Sequence, residues 1–388
     1  MSVVGLLVAL PCLIVLALAV WLLAEAALGA KDTAQGSVPS RRGTLAVLIP
    51  AHDEAAVIGA TLASVSAQLR DGDRMLVVAD NCSDETAKIA RAAGAEVTER
   101  RHETDRGKGF ALQHGLEALR SAPPETVVIV DADCLLSEGA LETLSSAAEA
   151  SGRPVQALYL MTDGERPAGG VGGFAWRFIN QTRMQGLMRM AGVTRLLGTG
   201  MAFPWALAKE LRLGTAEIVE DIALAAALTE QGDAPRLRPD AVVTSEFPVA
   251  DEAATTQRAR WEIGSLRLAR TTALPLLGRS LMRGRWRAAA LATDLLVPPL
   301  TVFAGLLAVL SVIALVAALF GLFAPLGIML AADAAFAAAV LVGWTAHGRD
   351  ALPAAALGGV GRYAASKLRV YGGAGRASAK QWTRTGRD

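Results

Sequence analysis

The chain predicts an α/β domain with a mainly parallel sheet, flanked by transmembrane helices. Two observations lead there. Between Gly43 and about Glu246, short apolar runs alternate with helical patterns, the order that lays a parallel sheet between layers of helices. Outside that stretch, Val3 to Ala24 carries no charged residue over 22 positions and Leu295 to Ala332 none over 38. A bilayer core takes about 20 apolar helical residues.

TLAVLIPA (44–51), RMLVVAD (74–80), AEVTERR (95–101), TVVIVDAD (126–133) and VQALYLM (155–161) read as short strands. Ala55–Leu69, Glu85–Ala93, Gly107–Arg120 and Ser137–Ala150 read as helices between them. Polar clusters follow the first, second and fourth strands: PAHDE (50–54), ADNCSDET (79–86) and DADC (131–134). Ligands of open α/β sheets gather at these carboxyl ends. No G-x-G-x-x-G follows the first strand and no P-loop occurs, so neither a dinucleotide fingerprint nor a Walker site is supported.

The first apolar run is open to two readings, a retained anchor or a signal peptide cleaved within AEAALGA (24–30). No Lys or Arg precedes it and it is long for a signal core, which favours the anchor. The second run divides at GLFAPLG (321–327) into helices near 296–320 and 326–346. Six arginines and no acid lie between Ile263 and Ala290, and eight basic residues against two acids between Gly348 and Asp388. Both flanks are therefore expected in the cytoplasm, with residues 28–290. Asp333 marks either a polar contact inside a helix bundle or a helix that starts later. The expected division is an anchor (1–28), a cytoplasmic domain (29–250), interface helices (251–290), two spans (291–347) and a basic segment (348–388).

The chain of 388 residues is 52% hydrophobic with a net charge of +1, which excludes the dominant basic face of a nucleic-acid binder. Three widely spaced cysteines suggest reduced thiols, and no Cys/His spacing resembles a zinc site.

VVIVDADCLL ends an apolar ladder on two acids. In an extended chain Asp131 and Asp133 share a face, and two like charges at a strand tip call for a cation; a solvated turn capping a helix is the alternative. In NCSDET, Ser83 or Asp84 caps a helix at Glu85, a role compatible with anion binding there. In DRGKGFAL (105–112), glycines allow close backbone approach and Lys108 suits a phosphate, or is an exposed lysine entering a helix. In EIVEDIALAAALTEQG (217–232), Glu220 and Asp221 lie in the first turn of an apolar-striped helix, where acids suit the macrodipole. TTQRARWEIGSLRLAR (255–270) supplies Gln257, Arg258, Arg260 and Trp261 on a charged amphipathic stretch approaching the membrane.

Taken in order, PAHDE, Asp80 in VVADNCSDET, DAD, and VED followed by QRARW resemble the membrane-bound inverting glycosyltransferases of family 2, over about residues 43 to 270. These include cellulose, chitin and hyaluronan synthases, ceramide glucosyltransferases and bacterial exopolysaccharide transferases. The usual last signatures are T-E-D and Q-x-x-R-W; Val219 replaces the threonine. The resemblance implies a GT-A type nucleotide-sugar-binding fold. It implies that Asp53, Glu54 and Asp80 hold the base and ribose of a nucleotide sugar, a UDP-sugar first among the candidates, with Lys108 near its phosphates. It places Mg²⁺ or Mn²⁺ on Asp131 and Asp133, with Asp133 the more direct ligand. Asp221 becomes the general base with Glu220 beside it, and Gly198, Thr199 and Gly200 of GTGM line the acceptor pocket. Gln257, Arg258, Arg260 and Trp261 belong to the segment that closes over pyrophosphate and acceptor. The usual acid pair after the second strand is Ala79 and Asp80 here, and the usual asparagine of the first loop is Asp53, departures that bear on the identity of the base.

The implied activity is sugar transfer to a lipid-linked or polysaccharide acceptor at a bacterial inner membrane, as in exopolysaccharide synthesis. Three spans are few for one subunit to enclose a polysaccharide channel, which favours single transfer or a channel built with export-complex subunits or further copies. A glycolipid transferase and a catalytically silent sugar-nucleotide-binding subunit are the alternatives.

Overall fold

The structure, a computed structural model, describes residues 3–31, 42–163, 166–167, 169–214, 220–247, 264–359 and 361. In chain order the first elements are α1 (Val3–Gly29), β1 (Leu45–Ala51), α2 (Ile58–Ser66), β2 (Arg74–Asp80), α3 (Thr86–Ala92), β3 (Glu96–Arg100) and α4 (Lys108–Leu119). Next come β4 (Thr126–Ile129), β5 (Leu135–Leu136), α5 (Ala140–Ser151), β6 (Val155–Asp163), β7 (Arg166–Pro167), α6 (Gly170–Arg177), a π-helical segment (Phe178–Arg183) and α7 (Met184–Ala191). After these follow β8 (Met201–Pro204), α8 (Trp205–Ala208), α9 (Glu220–Gln231) and β9 (Arg236–Glu246). Last are α10 (Leu274–Met282), α11 (Trp286–Leu296), α12 (Leu300–Leu319) and α13 (Phe323–Gly343). They form two compact units. One takes in Thr33–Arg166 and Val193–Phe247, the other Met1–Asp32, Pro167–Gly192 and Pro248–Asp388.

The first unit holds the sheet, ordered β3-β2-β1-β4-β8-β6-β9-β5. β1, β2, β3 and β4 run parallel, as do β6 and β9; β8 and β5 pair antiparallel to their neighbours. The expected α/β class with a mainly parallel sheet is the one observed. Leu45 to Ile49 have no exposed surface, because helices cover both faces and a parallel strand then reads as one apolar run. From β1 the chain winds outward through β2 and β3, then returns to the other side of β1 with β4. That reversal opens a crevice at the carboxyl ends of β1 and β4, where such sheets bind ligands.

At the opposite ends of these strands Arg42 forks onto Asp73 through Nη1 at 2.8 Å and Nη2 at 2.6 Å, and Asp73 also accepts the Leu45 N–H at 3.0 Å. Burial alone raises the Asp73 carboxyl, but the hydrogen bonds from Arg42, Arg70 and Leu45 outweigh it and hold the group below the usual range. Its stabilisation is therefore complete above the unfolded value of about 3.9 and is lost as pH falls through the lower folded value. Asp73→Asn is expected to lower stability at pH 7 and to flatten the acid limb of a stability-against-pH curve below about pH 4. An acid limb unchanged by the substitution would mean that other carboxylates govern it.

The second unit holds the apolar helices. Among the described residues three are long and apolar enough to cross a membrane: Gly5–Gly29, Leu300–Leu319 and Phe323–Gly348. The first of the paired helices starts later than 296 because Pro298 and Pro299 stand before Leu300. The second starts earlier than 326, since Pro325 fits in its first turn, where no intrahelical N–H is needed. Asp333 thus lies well inside α13, and Ser311 Oγ on α12 donates to its Oδ2 at 2.8 Å. Of the two readings of Asp333, the polar contact is the one observed.

Near the end of α1, Glu25 meets Arg183 of the π-helical segment, whose Nε donates to Glu25 Oε2 at 2.7 Å. Arg183 Nη2 donates to Asp294 Oδ1 at 2.7 Å, and Trp21 Nε1 to Glu25 Oε1 at 2.7 Å. All three charged side chains are at least 97% buried. α7 reaches this close because Gly186 has no side chain, and a Cβ there would strike the Glu25 carbonyl.

Candidate functional site

The loop after β1 turns sharply at Asp53, which takes a left-handed conformation at φ 53°. Its Oδ1 accepts the N–H groups of Ser83 at 2.6 Å and Asp84 at 3.2 Å, and the Ser83 hydroxyl donates to Oδ2 at 3.1 Å. Burial raises the Asp53 carboxyl, and the Ser83 hydrogen bonds more than reverse that. Glu54 N–H donates to Thr86 Oγ1, and Ala55 N–H to Asp84 Oδ2. The loops after β1 and β2 are thus laced into one rim, and Asp53 is part of the lacing. The helix starts one residue later than expected, at Thr86 with Glu85 as its N-cap; Asp84 Oδ1 accepts the Thr86 N–H at 3.0 Å, while Ser83 serves Asp53.

Asp80 ends β2 with 4% exposure and accepts from Arg100 Nη1 at 2.7 Å and Asn81 Nδ2 at 3.1 Å. Arg100 lies over the Phe110 ring and also donates to the Asp105 carbonyl. Sequence reasoning passed over Arg100, since it sits in a charged run, TERR, that looks like a solvated strand end. His52 Nδ1 lies 2.7 Å from the Asp80 carbonyl.

The two acids after β4 are not on the strand. β4 ends at Ile129, and Asp131 to Cys134 form a turn closed by Cys134 N–H to the Asp131 carbonyl at 3.1 Å. The strand-face argument fails there, because the period of two applies only to extended backbone. The turn nonetheless brings the groups together. One ligand atom from each of Asp131, Asp133 and Cys134 lies within 4.8 Å of the others. Burial, with Asp133 and Asp131 nearby, raises the Cys134 thiol well above its ordinary range, and the thiol is engaged as a donor to Asp133 Oδ1 at 3.4 Å. The donors left for a metal are carboxylate oxygens, a set that fits a hard divalent cation such as Mg²⁺ or Mn²⁺.

Lys108 opens α4 and reaches across this turn. Its Nζ stands 2.5 Å from Asp131 Oδ1 and donates to the Gly198 carbonyl at 2.9 Å. Thr199 Oγ1 accepts the Asp131 N–H at 3.1 Å. Gly198 has φ +82°, and a Cβ there would come within 3.0 Å of Lys108 Nζ and 3.4 Å of Asp221 Oδ2. Ammonium and carboxylate thus approach over the face of one residue that has no side chain. Asp221 lies in the first turn of α9, as expected, and its Oδ1 accepts the Ile222 N–H at 2.8 Å. Lys108, Gly198 and Asp221 line a cavity with apolar walls from Leu112, Leu213 and Leu224. Glu220 is the first residue of α9.

The structure therefore brings Lys108, Asp131, Asp133, Gly198, Thr199 and Asp221 together, and sets Asp53, Glu54 and Asp80 on the neighbouring rim. Gly200 packs against Val243 and Ala157, a structural use next to the site. Gln257, Arg258, Arg260 and Trp261 lie outside the described residues, as does Val219. Beneath the acids Tyr159 and Ser245 share a 2.7 Å hydrogen bond; neither falls in a motif, whereas Cys134 ends the polar cluster DADC.

A family model described as glycosyltransferase like family 2 matches residues 42–264, more than half of the chain. Among curated proteins, 4,4'-diaponeurosporenoate glycosyltransferase of Staphylococcus aureus (strain USA300) is 36% identical over 102 residues, which span 26% of this chain and 27% of that protein. The match thus covers about a quarter of that relative's length. Among solved structures, the mannosyltransferase PcManGT from Pyrobaculum calidifontis, in complex with GDP-Man and Mn²⁺, is 20% identical with a TM-score of 0.48, covering 84% of this chain and 99% of that one. Glucosyl-3-phosphoglycerate synthase from Mycobacterium tuberculosis, with Mn²⁺, UDP-Glc and phosphoglyceric acid, is 23% identical with a TM-score of 0.42, covering 59% and 79%.

Proposed function

The chain belongs to glycosyltransferase like family 2, and we propose that it moves a sugar from a nucleotide-diphosphate sugar to an acceptor at a membrane face, inverting the anomeric centre. One observation carries the reading: Lys108 bridges the acidic turn and the Gly198 carbonyl, with Asp221 facing the same glycine. On this reading Lys108 is the cation for the phosphates and Asp221 the carboxylate for the acceptor, both beside Gly198.

Breaking the sugar–phosphate bond builds negative charge on the departing diphosphate. A divalent ion held by Asp133 and Asp131 would supply Lewis-acid stabilisation of that charge. Lys108 adds a positive charge in a site that needs little reorganisation, because Asp131 and Gly198 already hold it. Asp221 takes the proton of the acceptor hydroxyl as the new bond forms on the face opposite the leaving group, so an α-linked donor gives a β-linked product. Asp53, Glu54 and Asp80 contribute the rim that receives the nucleoside. Gln257, Arg258, Arg260 and Trp261 would close over pyrophosphate and acceptor, with Glu220 beside the base.

The arginines of 263–290 and the basic residues after Gly348 support a cytoplasmic catalytic domain. On this reading the anchor (1–28) and the two spans (291–347) hold it at a bacterial inner membrane. The acceptor is a lipid-linked sugar or a growing glycan, as in exopolysaccharide synthesis. The relative named for 4,4'-diaponeurosporenoate supports a second reading, a glycolipid-type acceptor.

The test is nucleoside diphosphate release by the full-length protein in detergent, with Mn²⁺ or Mg²⁺, across UDP-, GDP- and dTDP-sugars, with and without a bacterial lipid extract. Release from one donor that needs both metal and extract is the expected outcome, and product analysis then separates glycan from glycolipid. Tight nucleotide binding with no release from any donor would instead favour a non-catalytic subunit of an export complex.

A further inference from the structure

We propose, resting on the transferase reading above, that Gln156 is a positioning residue of this site, acting through the Leu197–Gly200 loop to set where Lys108 and Asp131 stand. Gln156 lies on β6 with no exposed surface. Its carboxamide is committed to backbone. Nε2 donates to the carbonyls of Thr199 and Ala157, each at 2.9 Å, and Oε1 accepts the Leu197 N–H at 2.9 Å.

From Leu197 to Gly200 the loop belongs to no strand or helix, so it lacks the regular partners that buried backbone groups require. The glutamine supplies them, gripping the loop at 197 and 199, while Ala157 N–H holds the Gly200 carbonyl at 2.8 Å. Both ends of the reactive constellation hang from the loop so held. The Gly198 carbonyl takes the Lys108 ammonium, and Thr199 Oγ1 takes the Asp131 N–H. One side chain therefore fixes the acidic turn and its counter-ion against each other without touching either. When the carboxamide is removed, the Leu197 N–H and Thr199 carbonyl must find other partners. The loop satisfies them by moving, and the Gly198 carbonyl moves with it.

Gln156→Met keeps length and volume but offers neither donor nor acceptor. In the folded full-length variant, acetylation of Lys108 by an amine-reactive reagent, read by mass spectrometry against Lys88 and Lys209, is expected to rise severalfold. Turnover should fall by about 10²-fold, the scale of a one-ångström misplacement, with donor affinity changed far less. Gln156→Glu keeps the acceptor for Leu197 N–H and regains a donor toward Thr199 only when its carboxyl is protonated, so its activity should recover as pH is lowered while wild type does not. Gln156→Asn, with the same groups on a shorter arm, replaces the Met variant if that one does not fold.

A purely structural role would lower the melting temperature and leave both Lys108 labelling and the shape of the pH profile as in wild type; that result overturns the proposal. If wild type transfers no sugar from any donor, the transferase reading fails, and Lys108 labelling alone decides the role of Gln156.

Discussion

Asp221→Asn is expected to lower turnover by about 10²–10⁴-fold, the usual contribution of a positioned general base, while donor affinity stays close to wild type. The asparagine carbonyl can still accept the Ile222 N–H that Asp221 Oδ1 takes at 2.8 Å, so the start of α9 is preserved. The amide fills the same space beside Gly198. What it loses is the capacity to accept a proton. Donor binding measured by calorimetry beside single-turnover transfer separates the two effects. Turnover within a few-fold of wild type would move the base to another residue and dismantle the assignment made for Asp221.

The largest expected loss of stability lies in the other unit. Arg183→Met removes the cation that bridges Glu25 and Asp294, all three side chains being almost wholly buried. Two carboxylates are then left facing each other without their counter-charge, and breaking a buried ion pair from one side costs about 3–5 kcal/mol. The readout is unfolding of the full-length protein in detergent, followed by heat or by SDS titration. Adding Glu25→Gln and Asp294→Asn to Arg183→Met should recover part of the loss, because the charges then vanish together. Equal stability of single and triple variants would show that packing around the methionine, rather than charge, sets the cost.

The sheet was legible where burial makes sequence monotonous. β1, β2, β4 and β6 lie within the stretches expected from apolar runs, to within a few residues, because strands covered on both faces leave no room for polar alternation; β3, an edge strand with no buried residue, also lies within its expected stretch. β9 escaped notice. It mixes Arg236, Arg238, Pro239 and Asp240 into its first half, and the register against β6 slips between Ala157 and Leu158. The stretch from Gly170 to Ala191 was equally opaque, since it begins among glycines and passes through a π-helical segment with no simple period. At the site, Asp131 and Asp133 stood out as a close pair of acids while their geometry did not: they share a turn instead of a strand face. Lys108, Gly198 and Asp221 stood out because they fall in recognisable strings. Gln156 and Arg100 did not, since their meaning lies in partners 43 and 20 residues away, which no local pattern records.

The Glu25–Arg183–Asp294 triad also orders events at the ribosome. Arg183 lies 158 residues after Glu25, and Asp294 a further 111 on. At about 5–20 residues per second, the arginine is synthesised about 8–30 s after the glutamate of α1. Throughout that interval α1 carries an acid without its base, and the Glu25–Arg183–Asp294 contact cannot close until α11 has also been made. α1 is thus made well before the helical unit that contains it can be completed. A nascent chain that stalls before residue 183 therefore holds Glu25 without its counter-charge, an unmatched acid on an otherwise apolar helix.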